Sequence, residues 1–214
     1  MNNQKIKNEL QTILSGKSNS SYDPVIQTVA SYLKTSQRTS PLAEDKHQNK
    51  AKETEDLVDF AFRNNLIVEG ISESDFIAQG AEQKVYIKDK DYVIKLNDTI
   101  YYASWEDYFY NLLLHNYFFS DTAYQLLGFY KTDSKFYAVV KQRFIQANQL
   151  TRLMDIKNFL DYNGFENLRN QDYYHPQLGI ILEDLHDENV LTQNDILYFI
   201  DTVFFLNPHV FWKE

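Results

Sequence analysis

The chain has 214 residues, 43% of them apolar, with 16 Tyr and 15 Phe but only 6 Gly and 4 Pro, and a formal net charge of −9. This is enough apolar material for one substantial domain, or one domain with an appendage, and it excludes collagen-like or long glycine-rich architecture. Cysteine is absent, which excludes disulfides, thiolate zinc sites and cysteine nucleophiles and suits a reducing compartment.

Charge is unevenly spread. Residues 1–70 hold nine Lys/Arg and nine Asp/Glu, whereas 71–214 hold 12 basic and 21 acidic residues, so all the excess lies in the second part. Nucleic acid is therefore not an expected partner, because neutralising phosphates needs a basic surface. The start, Met1-Asn-Asn-Gln-Lys-Ile-Lys7, lacks the apolar stretch of a signal peptide, and no run approaches the length that spans a bilayer. A cytoplasmic location without membrane contact is expected.

Taken in order, residues 1–15 place Ile6, Leu10, Ile13 and Leu14 at helical spacing, and 24–35 do the same with Val25, Ile26, Val29 and Leu33. Pro24 after Asp23 reads as a capped helix start. From 36 to 52 the sequence turns polar, with almost nothing to bury, and a mobile linker is expected. Leu57, Phe60 and Phe62 restore a helical pattern over 53–64.

Strand periodicity begins at Phe76. Short β candidates cover 76–79, 84–88 and 92–96, with Gly80 between the first pair and a tight turn at 89–91 between the last. Gly80 alone reads as a turn glycine, and Lys95 alone as a solvated strand position. Residues 104–119 read as a helix, with Ser104 and Asp107 in capping-box spacing and Phe109, Leu112, Leu113 and Tyr117 apolar. Two further strands, 123–130 and 136–145, complete a set of five. Another helix covers 150–162 and stops at Gly164, and 173–182 leads on irregularly.

The stretch 182–205 carries the chemistry. Apolar, β-prone runs at 190–191 and 196–200 flank the turn 192–195, which reads as a hairpin. Asp184 and Asn189 lie five positions apart in the loop before it, and Asp201 ends the strand that leaves it. If the hairpin closes, three oxygen-bearing side chains converge. That set suits Mg²⁺, a hard ion that takes one or two carboxylates together with water and phosphate oxygens. The aromatic tail from Val203 to Trp212 is costly to leave exposed, so it is expected to pack on this chain or to support self-association.

Asp184-Leu-His-Asp-Glu-Asn189-Val resembles the catalytic loop of the protein-kinase-like superfamily, where an Asp precedes a metal-binding Asn by five residues, and Ile200-Asp201 resembles the later metal-binding Asp. More narrowly, His115-Asn116-Tyr-Phe-Phe, Tyr124-Gln-Leu-Leu-Gly-Phe-Tyr130 and the 184–190 loop are similar to the small kinase domain of polyvalent proteins from phages and conjugative elements. The resemblance implies an α+β, protein-kinase-like fold with a five-stranded antiparallel N-lobe sheet over 71–147. A minimal C-lobe with the catalytic hairpin would cover 148–214, and a helical extension 1–70. It implies ATP and Mg²⁺ as cofactors, with Gly80, Ala81, Val85 and Lys95 around the nucleotide, Lys95 on its phosphates and Asn189 and Asp201 on the metal. Asp184 would act as catalytic base toward a hydroxyl of a protein or a small molecule. Glu106 is the best-placed glutamate to orient Lys95, although as a first-turn acid it equally suits the helix dipole. Residues 146–149 would be the hinge facing the adenine.

Departures accompany the matches. Ala78 and Gln83 stand where the family's Gly-rich loop has its other glycines, Leu182-Glu183 replaces the His-Arg pair, and Thr202 follows Asp201. Positions 202–214 leave no room for an activation segment and its following helices, so the helices of 1–65 are expected to replace part of the lower lobe. His186 and Asp187 read as loop-shaping. A pseudokinase or interaction module without turnover is the rival reading, and a nucleotide-free α+β domain a third.

Overall fold

Three helices open the chain, α1 (Asn3–Leu14), α2 (Pro24–Arg38) and α3 (Lys46–Arg63), in a computed structural model that describes residues 2–17, 23–38, 46–80 and 83–213. Asp23 starts α2 as its sequence predicts, one carboxylate oxygen accepting the Val25 N–H at 2.9 Å. Its other oxygen accepts the Leu126 N–H at 2.8 Å, so the cap also fastens the helix to a distant strand.

The expected linker 36–52 is helical at both ends, because α2 runs on to Arg38 and α3 begins at Lys46, while 39–45 lie outside the described residues. Residues 46–52 contain no Gly or Pro to stop a helix. Lys50 also anchors the segment, its Nζ donating to the carbonyls of Thr99 and, at 2.7 Å, Tyr102. Low hydrophobicity hides a helix that one lysine ties down.

Strands β1 (Phe76–Gln79), β2 (Gln83–Ile87), β3 (Tyr92–Asn97), β4 (Gln125–Lys131) and β5 (Phe136–Arg143) form an antiparallel sheet in the order β1-β2-β3-β5-β4. The five strands expected from alternation are all present. Between β3 and β4 runs α4 (Trp105–Phe118), whose Ser104 Oγ accepts the Asp107 N–H at 3.0 Å. From α3, the buried Glu53 carboxylate accepts the Trp105 N–H at 2.7 Å, and Thr54 Oγ1 accepts from the indole at 2.9 Å.

Trp105, Phe109, Leu112, Leu113 and Leu114 bury α4 on almost every side, the signature of a helix enclosed by other elements. The enclosing elements include α1, α2 and α3. The N-terminal helices thus bury their apolar faces chiefly on α4, and they meet the second half of the chain through its last residues. Lys7 Nζ donates to the Lys213 carbonyl at 2.6 Å, Gln11 reaches the Phe211 carbonyl, and Lys34 Nζ lies 5.3 Å from the Trp212 ring centre. Phe204 and Phe211 of the aromatic tail are buried within this chain.

The second half holds α5 (Leu153–Tyr162), β6 (Glu166–Arg169), β7 (Asp172–His175), β8 (Ile180–Glu183), the hairpin β9 (Val190–Gln193) and β10 (Ile196–Phe199), β11 (Val203–Leu206) and α6 (Pro208–Phe211). A four-stranded sheet runs β11-β8-β7-β6. The segment 173–182, expected to be irregular, therefore contributes two strands. They are four residues each, too short to show a period, and β8 takes β11 as a partner from well downstream. The hairpin turns on Asn194 and Asp195, both at positive φ (52° and 63°), which suits its two-residue connection. No helix among the described residues is long and apolar enough to cross a membrane.

One glycine of β4 is structurally required. Gly128 has φ 144°, and a Cβ there would stand 2.1 Å from the Leu66 carbonyl oxygen, because residues 66–68 pair with this strand through Phe129 N to Leu66 O (2.7 Å) and Val68 N to Phe129 O (2.8 Å). Both atoms in conflict are backbone or attached to it, so a side-chain rotation offers no relief. Gly128→Ala is expected to destabilise the protein by about 2–4 kcal/mol in urea melts. Loss below about 0.5 kcal/mol would show that the 66–68 segment is not held there.

Candidate active site

A cleft of ≈ 680 Å³ opens between the five-stranded sheet and the β9–β10 hairpin, with Gly80, Val85 and Lys95 on the sheet side and Asp184, Asn189 and Asp201 on the other. Lys95 faces inward because β3 alternates, with Val85 and Val140 beside it in the neighbouring strands. Its side chain is only 5% exposed and pairs with Asp201 at 4.0 Å. The ammonium donates to the Ile200 carbonyl at 2.8 Å and lies 5.5 Å from the Tyr124 ring centre. Burial pushes the Lys95 pKa down, and the Asp201 carboxylate partly restores it.

The loop before the hairpin is organised by its own ends. Asp184 sits at φ 63°, a left-handed conformation that Asp tolerates better than most residues, and its N–H donates to Asp172 Oδ1 at 3.2 Å. Asn189 Nδ2 donates to the Asp184 carbonyl at 2.8 Å and to its Oδ2 at 3.0 Å. The Asn189 carbonyl in turn accepts the N–H groups of Ile200 (2.9 Å) and Asp201 (3.3 Å). The Asp184–Asn189 pair and Asp201 are thereby tied into one unit. His186 Nδ1 accepts the Glu188 N–H at 3.3 Å and its other nitrogen faces Asp184, so this histidine shapes the loop.

The predicted residues divide clearly. Lys95, Asp184, Asn189 and Asp201 meet at the cleft, and Gly80 and Val85 line its wall. Ala81 lies outside the described residues. Glu106 is not brought to Lys95: its carboxylate accepts the Tyr110 hydroxyl at 2.6 Å, one helical turn on, and Lys95 bonds to Ile200 and Asp201 instead. Helix geometry explains this. His115 is the α4 residue directed at the Asp201 segment, and nine residues at about 100° each place Glu106 on the opposite face.

Two residues, Gln83 and the hydrogen-bonding, structural histidine His115, take partners that the sequence does not name. Gln83, a departure from the glycine pattern of the loop it resembles, donates its amide to Asp201 Oδ2 at 2.8 Å across the cleft. His115 is fully buried, with Nδ1 2.7 Å from Thr202 Oγ1 and Nε2 3.0 Å from the Thr122 carbonyl. The signal for it was available, since His115-Asn116 is a polar pair inside an otherwise apolar helix and buried polar groups find partners.

Burial drives the His115 pKa from 6.5 down to about 3, the Thr122 carbonyl opposing the shift and Lys95 reinforcing it. Between those values the unfolded chain takes up a proton that the folded chain refuses, so stability falls as pH falls. This group is expected to cost about 2–3 kcal/mol between pH 6.5 and 4.5. Urea melts across that range should show a shallower slope for His115→Phe than for the wild type.

Among the described residues no group of three or more His, Cys, Asp or Glu side chains is placed to hold a metal ion. The cleft instead offers two carboxylates and an amide oxygen beside an ammonium. Such a set fits a divalent ion shared with a polyanionic ligand, because Mg²⁺ completes its octahedron with phosphate oxygens and water. The family model described as the serine/threonine/tyrosine kinase found in polyvalent proteins matches residues 50–208. No curated protein matches the chain.

Proposed function

This chain belongs to the serine/threonine/tyrosine kinase family found in polyvalent proteins, and from that membership we propose that it transfers the terminal phosphoryl group of ATP, with Mg²⁺, to a hydroxyl of a protein. The observation that carries the reading is the meeting of Lys95, Asp184, Asn189 and Asp201 in one cleft. Lys95 holds the nucleotide's phosphates, its ammonium already desolvated and facing Asp201. Asn189 and Asp201 hold the metal. With its Nδ2 engaged by Asp184, Asn189 has Oδ1 as its ligating atom. When bound, Mg²⁺ supplies neutralisation of the phosphate charge.

Asp184 orients the acceptor hydroxyl and takes its proton as the hydroxyl oxygen bonds to phosphorus and the bond to the departing ADP oxygen breaks. Phosphoryl transfer asks mainly for alignment and charge balance, and these residues supply both. Where 146–149 was expected at the adenine, the cleft is lined instead by Arg143, Phe144 and Ile145, which would border the base, and 146–149 is the segment that follows. Gln149 and Asn148 side chains hold it by bonding Asp195 and Asn194 of the hairpin turn, each at 2.8 Å.

One observation favours a second reading. The Gln83 amide engages Asp201 Oδ2, one of the two oxygens through which Asp201 would reach a metal, which suits a module that binds nucleotide without turnover. Incubation with γ-labelled ATP and Mg²⁺, with a mixture of added proteins, separates the two. Label recovered on protein hydroxyls supports the kinase. ATP binding with no label transferred supports the module, and absence of binding defeats both.

A further inference from the structure

The three residues around Asp201 are held from one direction by a buried polar cluster. His115 and Asn116 come from α4, Thr122 and Tyr124 from the turn and chain after it, and all four are buried, as is Thr202. Protonation follows from the partners. The Thr122 carbonyl is a pure acceptor, so His115 Nε2 carries the hydrogen and Nδ1 accepts from the Thr202 hydroxyl at 2.7 Å. The Thr122 hydroxyl in turn meets the Phe199 carbonyl. Tyr124 donates its hydroxyl to the Ile200 carbonyl at 2.8 Å, the same oxygen that receives Lys95. Asn116 grips the Tyr124 backbone twice, accepting its N–H at 2.7 Å and donating to its carbonyl at 2.8 Å.

Residues 199, 200 and 202 are therefore each fastened to α4 or to the chain leaving it. Asp201 alone turns outward, its side chain 40% exposed in the cleft. In this chain the helix reaches the metal-binding segment through a histidine, not Lys95 through a glutamate, since Glu106 points elsewhere.

We propose that His115 is the positioning residue for Asp201, acting through the Thr202 hydroxyl to set where the carboxylate stands when a nucleotide-bound divalent ion arrives. The proposal rests on the reading of Asp201 as a metal ligand. Loss of a hydrogen-bonding partner behind a ligand commonly weakens metal binding 10- to 100-fold. A residue that merely fills the core would lower the melting temperature and leave metal affinity alone.

The test is calorimetric titration of the full chain with a non-hydrolysable ATP analogue at a series of Mg²⁺ concentrations. Thr202→Val keeps the shape and removes the donor, and it is expected to raise the Mg²⁺ needed for half-maximal nucleotide binding about tenfold. Thr202→Ser retains the hydroxyl and should stay within about twofold of wild type. Tyr124→Phe removes an independent bond to the same segment and should shift the midpoint about threefold in the same direction, which carries the test if Thr202→Val does not fold. A lowered melting temperature with an unchanged Mg²⁺ midpoint in both variants overturns the positioning role and leaves the kinase reading intact. Wild-type protein that binds the analogue identically with and without Mg²⁺ overturns both.

Discussion

Lys95→Met is expected to abolish phosphoryl transfer while leaving the protein as stable as the wild type, or more so. The ammonium is enclosed, with its side chain 5% exposed, and burial depresses its pKa against the support of a single carboxylate 4.0 Å away. Methionine is likewise unbranched, one atom shorter, and carries no charge to desolvate, and replacing a buried charge by a well-packed apolar side chain is often neutral or stabilising. The Ile200 carbonyl that Lys95 serves keeps its bond from the Tyr124 hydroxyl. What disappears is the cation that we propose faces the phosphates. Removing one such preorganised group typically costs 10²–10³ in rate, and single-turnover transfer from γ-labelled ATP should fall by at least about that much. Transfer within tenfold of wild type would mean that the phosphates are held elsewhere.

Asp184→Asn is expected to lower the transfer rate about 10³-fold with nucleotide affinity changed by less than about twofold. The side chain is 61% exposed at the cleft mouth, so the substitution disturbs little packing. Asparagine keeps an oxygen for the bond from Asn189 Nδ2 and, like aspartate, accepts the φ of 63° at this position. It cannot take a proton. Alanine would be a poorer probe, because a left-handed non-glycine residue without a polar side chain adds backbone strain of about 1 kcal/mol or more. Rate and affinity measured separately make the assignment: equal losses in both would place Asp184 in binding, and an unchanged rate would move the base elsewhere.

Much of this architecture is written in short stretches of chain. The five strands of the first sheet follow from alternation and turns, α4 begins at its Ser104 cap, and the β9–β10 hairpin closes on Asn194 and Asp195. Asp184 and Asn189 joined across one loop are a consequence of a spacing of five residues, whereas Lys95, which alone reads as a solvated strand position, faces inward because its side of the sheet meets the β9–β10 hairpin. The helical start of α3 and the strands β7 and β8 were not legible. The first depends on Lys50 finding carbonyls about 50 residues away, and the others on partners supplied by β11 and β6.

The sequence by itself determined which residue types and local conformations are available: a lysine on a strand, a loop with paired Asp and Asn, and an acid at a strand end. Only the tertiary structure decided their partners. Lys95 bonds to Ile200 across 105 positions, Gln83 to Asp201 across 118, and His115 to Thr202 across 87. Periodicity and turn chemistry are set between neighbours along the chain and can be read there. Which face of a buried helix meets which turn depends on how whole elements pack, and there Glu106, the expected partner of Lys95, turns to Tyr110 while His115 on the opposite face of α4 meets Thr202.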